Sequence, residues 1–225
     1  MKFQILSIFP NIFDSYLNES ILKRAQAKKI VQFKIHNLRD WTKDKHRSVD
    51  DAPYGGGAGM LMKIEPLYAA LRDLKKASRV KPAKRKIILL SAAGEKWNQG
   101  KAKKYSKLEE IIFICGRYEG VDARLKNFID EEISVGDYVL TGGELPAMTI
   151  IDSLVRLLPG VLGNRESIIE ESHSEVGLNE YPQYTRPEIF IAGRKKYKVP
   201  PVMLSGEPKK IKAWQKKQQT KIKKK

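Results

Sequence analysis

The sequence predicts an α/β fold with a mainly parallel sheet. Short, β-branched apolar runs alternate with stretches of helical spacing from Phe3 to about Pro159. Glycines and short polar residues gather just after several of those runs, where chains in parallel sheets turn into their next connection. Four such segments follow strands: Leu90-Ser-Ala92, Gly116 to Gly120, Val135 to Gly143, and the loop after Leu38. Ligands of open α/β sheets collect beyond the carboxyl ends of strands, so these segments are the first place to look for function.

Taken in order, residues 3–9 read as a strand and 12–29 carry helical spacing. Residues 31–38 form the next strand, and 66–78 the next helix. A strand over 86–91 precedes a weaker helix over 98–108, whose apolar face is thin. Residues 111–115, Ile-Ile-Phe-Ile-Cys, are apolar throughout and read as a buried strand. Helical spacing returns over 122–128. Residues 133–140 then read as a strand, with β-branched Ile133, Val135 and Val139. Gly142 and Gly143 break it, and an apolar helix follows over 145–158. After Pro159 the pattern changes. Residues 160–181 are acidic and irregular, with Glu166, Glu170, Glu171 and Glu175, as in a linker or lid. Residues 181–205 carry several prolines, and 207–225 read as a basic helix with Ile211 and Trp214 as docking residues. The expected division is a large domain over 1–160, a linker or lid over 161–180, and a small, basic, mostly helical domain over 181–225.

The chain has 225 residues, 41% of them hydrophobic, enough to bury a substantial core. Lys and Arg total 43 against 26 Asp and Glu, a formal net charge of +17. That field suits a polyanionic partner such as nucleic acid, although general lysine enrichment produces the same balance. Cys115 is the single cysteine, so no intrachain disulfide or cysteine-rich zinc site can form; its place in an apolar run marks it as a core residue. No apolar run reaches membrane-spanning length and no signal-peptide pattern opens the chain, so a cytoplasmic setting is expected. From Lys209 onward there are nine lysines and no acid, which fits either a solvated end or a phosphate-binding arm.

Four motifs carry candidate chemistry. Tyr54-Gly-Gly-Gly-Ala-Gly-Met60 follows Asp50-Asp51 and matches neither the Walker loop nor the dinucleotide fingerprint. It can expose backbone donors to a base or phosphate, or simply be a surface loop. Cys115-Gly-Arg-Tyr-Glu-Gly120 puts the carboxylate of Glu119 at the mouth of the sheet, or in the acidic first turn of a helix. The Gly142-Gly143 pair removes two Cβ atoms, which lets main chain approach a polar-edged ligand or makes a tight βα turn. Arg156 lies four residues after Asp152, a spacing that also suits a surface ion pair.

Together and in this order, these motifs resemble the bacterial tRNA (guanine-N1)-methyltransferases of the SPOUT superfamily. Pro159-Gly-Val-Leu-Gly163 and Pro182-Gln-Tyr-Thr-Arg-Pro187 continue the resemblance, which runs from Leu6-Ser-Ile-Phe-Pro10 to Val199-Pro-Pro-Val-Met-Leu-Ser-Gly206. It implies a SPOUT-type sheet with a deep trefoil knot that holds S-adenosylmethionine in a bent shape. By similarity, that pocket takes Leu89, Leu90, Ser91, Gly116, Tyr118, Val135, Gly136, Asp137, Tyr138, Val139, Leu140, Gly142, Gly143 and Pro146. Ala92 stands where relatives carry proline. The resemblance also implies an antiparallel homodimer with shared active sites, a tRNA substrate bound in part by Asp50, Tyr54, Gly55, Gly59 and Ser167, and no membrane.

The implied reaction methylates the guanosine immediately 3′ of the anticodon. Guanine N1 is protonated at neutral pH and must lose that proton to attack a sulfonium methyl. A carboxylate can take the proton, and an arginine can hold the charge that develops on O6. The family's arginine falls on Arg156. Its base, an aspartate followed by serine, falls on Glu171 before Ser172, a side chain one methylene longer. Glu119 is expected to hydrogen-bond the target base. Magnesium is expected to assist, yet the sequence offers no dedicated carboxylate cage for it. Two other readings stand beside it: a SPOUT enzyme acting on a ribose hydroxyl, which would not need the Tyr54–Met62 loop with a lid carboxylate, and a non-catalytic RNA-binding protein, in which the basic tail dominates and Glu171 marks lost activity.

Overall fold

Seven strands lie in the first part of the chain: β1 (Lys2–Ser7), β2 (Gln32–Asn37), β3 (Asp50–Asp51), β4 (Leu61–Met62), β5 (Arg85–Lys96), β6 (Glu110–Cys115) and β7 (Glu131–Ser134). Five of them form one parallel sheet in the order β2-β1-β6-β5-β7. β3 and β4 make a separate antiparallel pair. The structure is a computed structural model and describes residues 1–163, 171–173 and 178–219. The chain divides into two compact units, Met1–Gly163 and Asn164–Lys225.

The sheet's side chains alternate between two helical layers. Phe3, Ile5, Ile88, Leu90, Ile111, Phe113, Cys115 and Ile133 join one buried cluster. Helices α2 (Ser20–Ala27), α4 (Gln99–Tyr105) and α5 (Glu144–Val155) supply that cluster with Leu22, Tyr105, Ile150, Ile151 and Leu154. Leu6, Ile87, Leu89, Ile112 and Ile114 belong to the second cluster, with Leu67, Leu71 and Leu74 of α3 (Ile64–Ala77). Each such leucine adds roughly 1.5–3 kcal/mol when taken fully out of water. Every residue of β6 is buried, including Glu110. That carboxylate accepts from Gln4 at 2.9 Å and from Ser78, and pairs with Lys2 at 3.0 Å, so its burial is compensated.

The structure departs from the sequence reading in four places. The expected helix over 12–29 is broken into a 3-10 turn, a single turn α1 (Asp14–Leu17), and α2. Asn18 donates to the Asp14 carbonyl at 2.8 Å and Ser20 takes φ +47°, which ends one helix and starts the next. Residues 123–128 are 3-10 rather than α, capped by Asp122, which accepts from the Arg124 N–H at 2.9 Å. β5 continues past Ser91 to Lys96 through an irregularity in which both Leu90 and Glu95 pair with Ile133. β7 stops at Ser134, and Val139, expected in a strand, is 86% exposed in a loop.

In the second unit, β8 (Ile189–Ala192) and β9 (Lys195–Lys198) form an antiparallel hairpin through Gly193, whose φ of +59° suits a two-residue turn. Short α6 (Pro201–Leu204) and α7 (Pro208–Gln218) follow. Trp214 of α7 lies 6.2 Å, ring to ring, from Tyr184. The hairpin is an addition to the mostly helical content expected here. Its turn signal, Ala192-Gly193-Arg194, is set among lysines that mask the strand pattern.

Candidate functional site

A cavity of about 310 Å³ opens beyond the carboxyl ends of β5, β6 and β7. Its walls come from three stretches of main chain: Leu89 to Ala93, Gly116 to Val121, and Ile133 to Gly143 with Pro146. Leu89, Leu90, Ser91, Gly116, Tyr118, Val135, Tyr138, Val139, Leu140, Gly142, Gly143 and Pro146 all line it. Gly136 and Asp137 do not. Gly136 faces the Tyr138 ring, and Asp137 pairs with Lys96 at the surface. Ala92, which the sequence marks in the segment Leu90-Ser-Ala92, also lines the cavity, as do Ala93, Arg117, Val121, Ile133, Ser134 and Thr141, which sequence reasoning does not single out as pocket residues. Their signal is adjacency: each neighbours a residue that the glycine motifs do mark.

The irregularity in β5 makes the first wall. Gly94 lies so close to β7 that a Cβ there would sit 2.5 Å from the Ile133 nitrogen. This close approach leaves Ser91 to Ala93 outside the ladder, where they face the cavity. The Gly142-Gly143 pair makes the opposite wall, for a reason the sequence does not reveal. A Cβ on Gly143 would fall 2.6 Å from the Cys115 Cα, and one on Gly142 would overlap the Arg117 side chain. The Gly143 N–H donates to the Gly116 carbonyl at 3.0 Å. The two glycines therefore let the chain close against β6 and Arg117.

Arg117 and Glu144 join the walls. Glu144, at the start of α5, is buried, and its Oε2 accepts from Arg117 Nε at 2.9 Å. Its Oε1 accepts from Ser7 Oγ at 2.6 Å, at the end of β1. The N-terminal end of a helix favours a carboxylate there. Arg117 also donates to the Thr141 carbonyl at 3.2 Å, and its guanidinium lies 4.7 Å over the Phe9 ring. Cys115, under this network, has its thiol pushed well up by burial and then by the Glu144 charge, which suits a core residue.

The glycine loop of residues 54–60 packs on Glu119, a residue of the cavity wall, without itself lining the cavity. Gly55, Gly56, Gly57 and Gly59 all have positive φ, and Tyr54 is fully exposed. Backbone bonds from Glu119 to Met60 and from Met62 to Gly120, both 3.0 Å, tie the loop's base to the Glu119 segment. Gly59 covers the Glu119 side chain so closely that a Cβ would overlap it. Asp50 faces the Tyr118 phenol, whose pKa is raised by burial and by that carboxylate against the opposing pull of Arg39. Tyr118 holds φ +58°, an uncommon conformation for a residue with a side chain.

Arg156 caps the far end of α5 and is half-buried. Glu144, at the other end of α5, lies beside the cavity. The helix spans twelve residues, so its ends are about 18 Å apart at 1.5 Å per residue. Arg156 is not among the residues lining the cavity of its own chain. Glu171 belongs to the second unit and is half-buried, with Ser172 beside it accepting from the Glu180 N–H at 2.9 Å. Ser167 and Glu170, the latter an alternative base one residue before Glu171, lie outside the described residues.

A parallel sheet with a glycine-rich cavity at its carboxyl edge is the arrangement in which α/β proteins hold small ligands. Residues 1–225 match the family model described as tRNA (Guanine-1)-methyltransferase TrmD. The tRNA (guanine-N(1)-)-methyltransferase of Desulfitobacterium hafniense is 51% identical over 218 residues, covering 97% of this chain and 79% of that one. Proteins of the same name from Dictyoglomus turgidum and Anoxybacillus flavithermus are each 51% identical, over 97% of this chain and 84% and 86% of theirs. The chain belongs to the tRNA (guanine-1)-methyltransferase family.

Proposed function

We propose that this protein transfers a methyl group from S-adenosylmethionine to N1 of the guanosine immediately 3′ of the anticodon in tRNA. Family membership over the whole chain carries the reading. The cavity supports it: its volume lies at the lower end for small-molecule sites, and its lining combines apolar residues such as Leu89, Leu90 and Val135 with Ser91, Thr141 and four glycines. Leu89, Leu90 and Ser91 would hold the adenosyl group from one side, Gly116 and Tyr118 from the base, and Val135 to Gly143 with Pro146 from the other. Gly136 and Asp137 would act through the turn they form. The net charge of +17 supports a polyanionic substrate.

S-adenosylmethionine supplies an electrophilic methyl on sulfonium sulfur. In this reading the protein does the rest. Glu171 would take the N1 proton of guanine, and the freed nitrogen pair would bond to the methyl carbon as the carbon–sulfur bond breaks, its electrons returning to the sulfur of the departing S-adenosylhomocysteine. Arg156 holds the charge on O6. Glu119, under the glycine loop, accepts from the target base and fixes its orientation. Asp50, Tyr54, Gly55 and Gly59 contact the RNA around that base, and Ser167 contacts the neighbouring guanosine. No dedicated protein cage for magnesium is proposed.

The 18 Å along α5 supports an active site shared between two subunits, with the cavity of one facing Arg156 of the other. The chain leaves edge strand β7, passes β5 and returns to Gly116 beside β6, which supports the knotted SPOUT topology. Among the described residues no helix is long and apolar enough to cross a membrane, and a cytoplasmic setting fits a tRNA substrate.

The test is methyl transfer to two tRNA transcripts differing only in G or A just 3′ of the anticodon. The expected product is 1-methylguanosine, formed in the G transcript alone. A methylated ribose would favour a different SPOUT target, and tight binding without turnover would favour a non-catalytic RNA-binding protein.

A further inference from the structure

We infer that the pair formed by half-buried Arg117 and buried Glu144 is a positioning device that holds the main chain of residues 141–143 as a wall of the ligand cavity and so sets affinity for the adenosyl ligand. The inference rests on the proposal that this cavity takes S-adenosylmethionine. The wall needs an anchor. From Val135 to Gly142 no side chain is buried, so packing does little to fix this stretch. Its start is tied by the Ser134 hydroxyl, which donates to the Gly136 carbonyl at 2.8 Å, and by the Tyr138 hydroxyl, which donates to the Val135 carbonyl at 3.3 Å. Asp137 carries an exposed ion pair with Lys96, and Gly143 is fixed against β6, which leaves residues 139–142 to be held. Arg117 supplies the missing hold: its terminal nitrogen donates to the Thr141 carbonyl, and its side chain fills the space left by the absent Cβ of Gly142.

Arg117 is itself held on three sides. Its Nε donates to Glu144, its face rests on Phe9, and its backbone N–H meets the Met62 sulfur at 3.2 Å. Glu144 is 2% exposed and has both oxygens occupied, by Arg117 and Ser7. A buried ion pair is weak evidence for stability, because an apolar pair of similar volume usually serves as well. An apolar pair cannot hold a loop carbonyl. Arg117 makes the two bonds from two different nitrogens of its planar fork, whereas the three donors of an ammonium radiate from one atom and lack that fixed spread.

The experiment is calorimetric titration of S-adenosylhomocysteine into the wild type, Arg117→Lys and the double variant Arg117→Gln/Glu144→Gln, with thermal unfolding and amide hydrogen exchange on each. Arg117→Lys keeps a charge beside Glu144, and the double variant leaves no buried charge unpaired, so both are built to fold. The expected result is affinity weakened about tenfold or more in both, with faster exchange over residues 139–142 and a KM for S-adenosylmethionine that rises more than kcat falls. Affinity within twofold of wild type in either folded variant would overturn the inference, whatever happens to the melting temperature. If the wild type itself fails to bind, the proposed function fails. The positioning claim is still read from hydrogen exchange, and unchanged exchange over 139–142 would sink it.

Discussion

Gly143 carries one of the sharpest constraints in the molecule. Its missing Cβ would strike the backbone at Cys115, which cannot swing aside as a side-chain tip could. Gly143→Ala should therefore destabilise the protein by about 1–3 kcal/mol, the usual cost of overpacking, measured by urea unfolding. No loss would mean that the loop can shift away from β6. Glu171 is a different case, because its proposed task is chemical. Glu171→Ala should lower the single-turnover rate by about 10²–10⁴, the range for a lost general base, while S-adenosylhomocysteine still binds. Unchanged turnover would remove Glu171 from the mechanism. Both residues stand out in the sequence, but for different kinds of reason. Gly142 and Gly143 stand out there as a place for ligand approach or a tight βα turn; the close contacts that exclude a Cβ are not legible, because the atoms they avoid belong to Cys115 and Arg117, far back along the chain. Arg117 itself passes unnoticed, since nothing local distinguishes an arginine that grips a loop 24 residues later from one that is solvated.

At the level of elements, legibility follows burial. β6 is buried on both faces and reads as an unbroken apolar run, and α3 shows a regular apolar face; both are recognisable from their sequence pattern. β7 is overextended by sequence reasoning because Val135 and Val139 have strand-like chemistry, whereas the cavity wall they enter is shaped by contacts with β5 and β6. The hairpin of β8 and β9 is missed because all eight of its residues are exposed, so no polar and apolar alternation records it. Helix α7 is legible as a basic helix, and Trp214 does find a partner in Tyr184. Lys216 and Lys217 lie in its last turn. If they bind phosphates, replacing both by Gln should weaken tRNA binding and reduce the log–log salt slope by roughly 0.7–0.9 for each phosphate no longer neutralised. An unaltered slope would leave α7 as a solvated element.

The whole molecule poses the question of how one chain brings Arg156 to a cavity at the opposite end of α5. A shared site makes a quantitative prediction. Ala92 is exposed and lines the cavity, so Ala92→Trp should block it without touching the core. Neither Ala92→Trp nor Arg156→Ala should be active alone. Mixed and re-equilibrated in equal amounts, half of the dimers are heterodimers, and each should regain one intact site, giving about a quarter of wild-type activity. Sites built within single chains would stay dead in the mixture. In the sequence, a shared site is suggested only through the family resemblance; the length of α5, set against the position of the cavity, gives the proposal a structural ground.

The most direct test is equilibrium titration of S-adenosylhomocysteine into the wild-type protein and into Ala92→Trp. Saturable binding at one site per chain, abolished in Ala92→Trp while its melting temperature is preserved, is the expected result. Equal binding by both proteins would mean that the adenosyl ligand sits somewhere other than the space between Ser91, Gly116 and Leu140.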